Sequence, residues 1–396
     1  MVNVHLYPSP FLNESRILRE AGSLARLGLF ERIDLVGIGQ QGVPGSEQVQ
    51  DGIRILRLGR GSGAGGMVDK IARTGGWSHA VFQRYRNEKI ACINCHSVTT
   101  LPLGVMLKRM TGAKLVYDAH ELETEANGLR GVRKYLTKQV ERALIRHADH
   151  CIFVGGAIER WYVREYGLGN TTVLYNCPPR QDMPHTDHFR KTYSIAPGKP
   201  VFLYQGVIGE GRGIRPLLEA FAKLSERAVL VVMGYGLLAD WFAQQAARHP
   251  TIHYHPAVAP ERLLAYTAAA DFGLSVIEGT SLSYEYCMPN KLFEYVMARK
   301  PVLVSPTREQ SEFVRHHAIG EVASDTSAQA IQEAVLRLLE RTPATLQSAL
   351  SRTRDEFCWE RQEAKLEAAY VDALGFRPRP HRFQASTLVS RHDLCG

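Results

Sequence analysis

Short apolar, β-prone runs alternate with amphipathic helical runs along almost the whole chain, and that alternation leaves few architectures open. A strand, a helix and another strand in succession close onto a parallel sheet with helices on its faces. In the first half, strands are predicted over 2–7, 33–37, 53–57, 90–94, 114–118, 151–154 and 172–175, with helices over 14–27, 100–110, 131–148 and 156–166. The polar, proline-rich stretch Cys177-Pro-Pro-Arg-Gln-Asp-Met-Pro-His-Thr-Asp-His then interrupts the pattern, as an interdomain connection does. Beyond it, strands are predicted over 201–205, 228–233, 252–255, 271–276 and 301–304, and helices over 214–224, 237–248, 260–270, 290–298, 328–341 and 357–374. At 396 residues the chain exceeds the size at which one core stops growing. Two α/β units are therefore expected, over 1–180 and 195–355, with a flexible tail over 376–396. Two such units facing each other place a ligand between the carboxyl ends of their strands.

Composition excludes several classes. A hydrophobic content of 45% with 22% charged residues is that of an ordinary globular protein. The opening Met-Val-Asn-Val-His-Leu-Tyr-Pro-Ser-Pro lacks a basic region followed by an apolar run, and no stretch keeps up about 18 apolar residues. A cytoplasmic location is expected. The seven cysteines are scattered and mostly sit in apolar runs, which suits buried thiols in a reducing compartment. Cys92 and Cys95 form a CxxC inside a predicted strand, with no second CxxC to complete a zinc site, so neither a redox nor a zinc site is expected there.

The net charge of +8 is uneven: residues 1–190 hold 25 Lys and Arg against 18 Asp and Glu. Arg130, Arg133, Lys134, Lys138, Arg142 and Arg146 concentrate on a predicted helix whose Leu136, Val140 and Leu144 share another face. Such a helix either docks on an anionic bilayer or presents a solvated face. Nucleic acid is not expected, because no aromatic-interleaved basic motif accompanies the charge. The run Arg60-Gly-Ser-Gly-Ala-Gly-Gly reads as a flexible loop, either a linker or a lid on the acceptor side.

Residues 289–301, Pro-Asn-Lys-Leu-Phe-Glu-Tyr-Val-Met-Ala-Arg-Lys-Pro, carry the densest chemistry. A helix starting there offers free N–H groups and a positive dipole end to an anion. Lys291 adds a full charge, and Glu294, three residues on and on the same face, can accept two bonds from a vicinal diol. A second anion-suited stretch is Gln205-Gly-Val-Ile-Gly-Glu-Gly-Arg-Gly-Ile, between a strand and a helix. Gly209, Gly211 and Gly213 permit close backbone approach, and Arg212 can fork onto phosphate oxygens. Met233-Gly-Tyr-Gly, with Gly234 and Gly236, is a further turn after a strand.

These motifs resemble the retaining GT-B glycosyltransferases of the large family 4, or group 1, which includes sucrose synthase and bacterial mannosyl- and glucosyltransferases. The resemblance covers most of residues 90–375. It implies two Rossmann-like βαβ domains, with the N-terminal one binding the acceptor and the C-terminal one the nucleotide-sugar donor, and the final helix, 356–375, crossing back to the first domain. It assigns Glu294 to the nucleotide ribose, Arg212 and Lys291 to the donor phosphates, and Asn290 and Leu292 to the same donor-binding turn. Gly234 and Gly236 lie beside the nucleotide and Val258, in His255-Pro-Ala-Val, near the base. In Val116-Tyr-Asp-Ala-His-Glu, His120 matches a histidine that bonds the transferred sugar, with His96, Asp118 and Glu121 on the acceptor side.

The chain departs from the family in three places. Val207 stands where an arginine follows the first glycine. Tyr286 stands eight residues before Glu294, where many members carry a second glutamate, so Glu285 or the Tyr286 hydroxyl is expected to take over that sugar contact. The usual Gly-Gly near the first strand is replaced by Pro8-Ser-Pro-Phe-Leu-Asn-Glu-Ser. The implied activity is metal-independent, retaining transfer of a sugar from a UDP or GDP donor to a glycan or lipid-linked hydroxyl acceptor, in surface polysaccharide, glycolipid or glycoconjugate assembly. Two alternatives remain: a sugar-nucleotide epimerase or hydrolase of the same fold, or a catalytically idle partner subunit of a transferase complex.

Overall fold

The computed structural model describes residues 1–12, 14–59 and 66–375. Most of the glycine-rich run, 60–65, and the expected tail, 376–396, lie outside the described residues.

The first sheet contains β1 (Val2–Leu6), β2 (Arg32–Ile38), β3 (Ser46–Gln50), β4 (Ile53–Leu58), β5 (Ile90–Cys95), β6 (Lys114–Ala119), β7 (His150–Phe153) and β8 (Thr171–Val173). Its spatial order is β3-β4-β2-β1-β5-β6-β7-β8. Every neighbouring pair is parallel except β3 with β4. The second sheet contains β9 (Val201–Val207), β10 (Val229–Tyr235), β11 (Ile252–Pro256), β12 (Phe272–Ser275), β13 (Val302–Val304) and β14 (Gly320–Val322), in the wholly parallel order β11-β10-β9-β12-β13-β14. The order reverses beside β1 in one sheet and beside β9 in the other, so the crevices at their carboxyl ends are the natural ligand positions.

Helices α1 (Ser15–Arg26), α2 (Met67–Tyr85), α3 (Leu101–Thr111), α4 (Gly131–Leu144) and α5 (Gly156–Tyr166) belong with the first sheet. The second half carries α6 (His188–Thr192), α7 (Ile214–Lys223), α8 (Ala239–Ala246), α9 (Pro260–Ala268), α10 (Leu282–Glu285), α11 (Asn290–Met297), α12 (Arg308–His317), α13 (Ala328–Glu340), α14 (Pro343–Glu356) and α15 (Trp359–Leu374). Each sheet is covered on both faces by apolar side chains. The last helix returns to the first sheet. Trp359, Leu366 and Tyr370 of α15 join Ile17, Leu24 and Phe30 in one buried cluster, and the Trp359 indole donates to Ser23 Oγ at 2.8 Å.

Several elements were not expected from the sequence. α2 contains Gly75-Gly76, each costing about 1 kcal/mol against alanine in a helix interior. Tertiary packing overrides that cost, because Trp77, Val81 and Tyr85, spaced by four, are fully buried and the Trp77 indole donates to Gly37 O at 2.8 Å. β3 has the polar sequence Ser-Glu-Gln-Val-Gln and pairs only with β4. As an edge strand it needs no apolar face. α12 is mostly polar, and the residues it buries include Glu309, Gln310 and Ser311 beside Phe313 and Val314, so its apolar periodicity is weak. Helices α6, α10 and α14 and the three-residue β14 were likewise unpredicted. Cys92 and Cys95 lie on β5 with both thiols buried, and burial pushes Cys95 up to about 12, away from redox or metal chemistry.

Candidate active site

A cavity of about 780 Å³ lies where the carboxyl end of β9 meets the N-terminus of α11. Tyr204, Gln205, Gly206, Arg212, Lys291 and Glu294 line it from the second half, and Ser15, His120 and Glu121 from the first. A smaller cavity of about 300 Å³ shares Ser15, His120 and Asn290 with it and is bounded further by Tyr7, Arg16, Asn176 and Met288.

α11 begins after Pro289 with no side chain capping its free N–H groups, so its positive end stays available to an anion. The Lys291 ammonium lies 3.6 Å from the centroid of the Tyr204 ring, and the residue is only 9% exposed. Gly206 holds a φ of 117° that suits glycine; a β-carbon there would touch the ammonium at 3.7 Å without blocking it. Burial pulls Lys291 down to about 7; the positive charge of Arg212 adds to this and Glu294 opposes it. The Arg212 guanidinium stacks over Tyr284 at 4.7 Å. Among the described residues no carboxylate forms an ion pair with either cation.

Glu294 accepts from Gln205 Nε2 at 2.5 Å, and Thr267 Oγ1 donates to Gln205 Oε1 at 2.9 Å, which fixes the amide orientation. Burial raises the Glu294 carboxyl, and the Gln205 bond and Lys291 counter it. One carboxylate oxygen is thus held from behind and the other is left for the cleft. Beyond Gly234, Met233, Ala257, Val258, Ala259 and Leu263 form an apolar slot.

Behind His120 lies a buried polar chain. Asp118 accepts from Arg16 at 2.8 and 3.1 Å, from His96 Nδ1 at 2.9 Å and from His120 Nε2 at 2.9 Å. His96 Nε2 meets His5 Nδ1 at 2.8 Å, and His5 Nε2 meets Asn94 Nδ2 at 2.7 Å. Because Asp118 accepts at one end and the Asn94 amide donates at the other, the two neutral rings have a single consistent set of tautomers. Burial alone would raise Asp118, but Arg16 and then His120 outweigh it and hold the carboxyl well below its usual range. Burial lowers His96 to about 4 and lowers His5 as well. Glu20, beside this cluster, is pushed well up by burial and by Asp118. His96, Asp118 and His120 present ligand atoms within 4.8 Å of one another. Arg16 already binds both oxygens of Asp118, and a fixed guanidinium repels a cation, so the set does not suit a metal.

The predicted residues separate into those on the cleft wall and those behind it. His120, Glu121, Arg212, Gly234, Val258, Asn290, Lys291 and Glu294 come together on the wall. His96 and Asp118 are 1% exposed and reach the cleft through His120 and, for Asp118, also through Arg16. Gly209, Gly211, Gly213 and Gly236 shape the wall without lining it. A β-carbon on Gly213 would meet Val276 at 2.3 Å, and its N–H donates to Glu278 at 3.3 Å. Leu292 is core. Glu285 turns away and accepts the N–H of Arg308 at 3.0 Å, while Tyr286 packs against the first half's apolar core. Tyr204, Gln205, Tyr284, Ser15 and Arg16 were missed; Gln205 stood inside a quoted motif, whereas Arg16 has no local signal, since its partner is 102 residues away.

Comparison with known proteins gives two family matches. Residues 14–177 match the glycosyl transferase 4-like domain and residues 199–341 match glycosyl transferases group 1. No curated protein matches the chain by sequence. Among solved structures, sucrose-phosphate synthase from Thermosynechococcus elongatus superposes with a TM-score of 0.80 at 17% identity, over 94% of this chain and 99% of that one. HepE of Anabaena in complex with UDP-glucose gives 0.71 at 14% identity, over 93% and 99%. An E. coli trehalose-6-phosphate protein bound with UDP-2-fluoro glucose gives 0.69 at 11% identity, over 96% and 100%. The two matched halves, the two doubly wound sheets and the cleft between them show that the chain belongs to the group 1 glycosyl transferases and has the GT-B fold.

Proposed function

We propose that the protein is a retaining, metal-independent glycosyltransferase that moves a sugar from a nucleoside diphosphate sugar to a hydroxyl of a glycan or lipid-linked acceptor, with residues 1–180 as the acceptor unit and 195–355 as the donor unit. One observation carries this reading: two cations without acid partners, Lys291 and Arg212, border one cleft at the uncapped start of α11, with Glu294 three residues on. The UDP sugars bound by two structural neighbours support a UDP donor. In this reading Arg212, Lys291 and the α11 N–H groups hold the diphosphate, Glu294 the ribose diol, the apolar slot at Val258 the base, and His120 the sugar. The acceptor oxygen bonds to the anomeric carbon on the face from which the diphosphate leaves, the carbon–oxygen bond to the diphosphate breaks, and a departing phosphate oxygen takes the acceptor proton. Configuration is thereby retained without a protein nucleophile. The charge that develops on the leaving group is what the two cations stabilise.

Thermal-shift screening against UDP, GDP and ADP sugars tests the reading, because a ligand of the native state raises apparent stability. Stabilisation by UDP sugars, lost in Lys291→Ala, is expected; no response to any nucleotide would refute it and favour the idle-subunit alternative.

A peripheral position on the inner face of the membrane is a second part of the proposal. Among the described residues no helix is long and apolar enough to cross a membrane. α4, however, exposes Val132, Tyr135, Leu136 and Val140 on one face, between 40% and 74% each. The only carboxylate on α4, Glu141, is buried beneath the hydroxyls of Tyr117, Tyr162 and Tyr166; Lys134, Lys138 and Arg142 pair with Glu125 and Glu165 of neighbouring elements, which leaves Arg133, with Arg130 and Arg146 at the helix ends, as the cations without a carboxylate partner among the described residues. Flotation with anionic but not neutral vesicles is expected, and equal behaviour with both would remove this part.

A further inference from the structure

α5, in the acceptor half, starts at Gly156 after Gly155, and no side chain of its own caps it. Its cap comes from the other half. Glu309, on the first turn of α12, accepts the N–H of Gly156 through one oxygen and that of Ala157 through the other, both at 2.7 Å. Glu309 is 6% exposed, and Tyr175 Oη and Arg160 stand at 3.5 and 3.7 Å. The α12 end is tied in turn to the donor loop, because Glu285 accepts the N–H of Arg308, the residue before Glu309. Met288 of the same loop faces Gly155, and a β-carbon there would lie 3.7 Å from Met288 and 3.4 Å from the Glu309 carboxylate. Two carboxylates therefore cap two helices in series, from the donor loop to α12 and from α12 to α5 across the cleft.

We propose that Glu309 is a positioning residue that clamps the two halves together and, through Glu285, ties their closure to the conformation of the donor loop. It touches neither the donor cleft nor His120 directly. Its role is to hold the acceptor half where His120 faces Lys291 and Glu294. A carboxylate on two N–H groups at the positive end of a helix is a charge-assisted contact, and both groups are solvated when the halves part. The arrangement therefore favours the closed pairing without placing any residue in the reaction. Its consequence for turnover rests on the donor reading above, whereas its consequence for shape does not.

Two variants separate this role from general destabilisation. Glu309→Gln removes the charge and one of the two acceptors. Gly156→Pro replaces an N–H at the first position of α5, where proline suits a helix, with a ring carbon that displaces the Glu309 oxygen now held there at 2.7 Å, and the preceding Gly155 has an extended backbone (φ −167°, ψ 152°) compatible with a following proline. Small-angle scattering of the full chain should give a larger radius of gyration for both. Calorimetry should show UDP affinity within about twofold of the parent, since the UDP contacts lie in the donor half. Hydrolysis of UDP-glucose by water, which needs the closed cleft, should fall roughly tenfold or more in Glu309→Gln. Unchanged radii in both variants, or a fall in UDP affinity matching the fall in hydrolysis, would overturn the proposal. If the parent protein binds no UDP, the donor reading fails, and the radii still decide the clamp.

Discussion

On the first-sheet side of the cleft, Asp118 receives two bonds from Arg16 and one each from His96 and His120, all within the protein. On the second-sheet side, Lys291 and Arg212 rest on the rings of Tyr204 and Tyr284 and have no carboxylate paired with them. One wall is electrostatically complete and the other is held short of an anion. The complete wall positions: its charges cancel, so it presents a ring with a fixed orientation. The incomplete wall binds: the like charge of the partly buried Arg212 disfavours the buried Lys291 ammonium until a ligand of opposite sign arrives.

That contrast can be broken from either side. The largest effect is expected for Asp118→Ala, which takes the two-oxygen partner from the buried Arg16, leaving it Glu20 and the Leu174 carbonyl at 2.9 Å each, and strips His96 and His120 of their shared acceptor; it should cost about 3–5 kcal/mol of stability in denaturant unfolding. A loss below about 1 kcal/mol would mean that the wall is less closed than the bond distances imply. Lys291→Met should act in opposite directions on two measurements. UDP-glucose affinity should fall by about 2–4 kcal/mol, and stability without ligand should rise by on the order of 1 kcal/mol, because a buried charge that Glu294 compensates only in part is removed. A variant that loses both would show that Lys291 is structural.

Acidity sharpens the same point. Lys291 sits near 7 in the folded protein against its ordinary 10.5, so between those values the unfolded chain binds more protons and stability from this group rises with pH; below about 7 the penalty is fully present. Donor binding has the reverse dependence. An anion favours the protonated lysine, so UDP-glucose affinity should weaken as pH rises past about 7, with proton uptake on binding that calorimetry in buffers of different ionisation enthalpy can count. A flat profile, or one that survives in Lys291→Met, would assign the dependence elsewhere. The smallest effect is expected for Tyr284→Leu, which removes the ring under Arg212 and should weaken UDP-glucose binding by about 0.5–1 kcal/mol.

The alternation of strands and helices and the run from Pro289 to Pro301 made the fold and the donor half readable from the sequence, because both are signals of adjacent residues. Lys291 and Glu294 share a helix turn, and the glycines of 206–213 shape a single loop. The acceptor half was less legible because its contacts are remote. Arg16 meets Asp118 across 102 residues and Gly156 meets Glu309 across 153, and nothing in either neighbourhood marks the pairing. Tyr286 and Glu285 show the other limit. Position relative to Glu294 suggested a sugar contact, yet the short helix α10 turns both side chains out of the cleft, Glu285 to cap α12 and Tyr286 to fill the contact with the first half.

The return of α15 also has a mechanical meaning. The chain passes between the two sheets twice, once after β8 and once just before Trp359, and the two passages touch: the Trp359 N–H donates to Pro178 O at 2.9 Å, and the Tyr175 N–H to Gln362 Oε1 at 3.1 Å. Two adjacent strips joining two plates act as a hinge pin. They leave one easy rotation, opening and shutting about the line through them, and resist sliding or twisting of one plate on the other. Each closure therefore returns the same two edges to the same register, so alignment of the halves is inherited from chain path before any ligand is present.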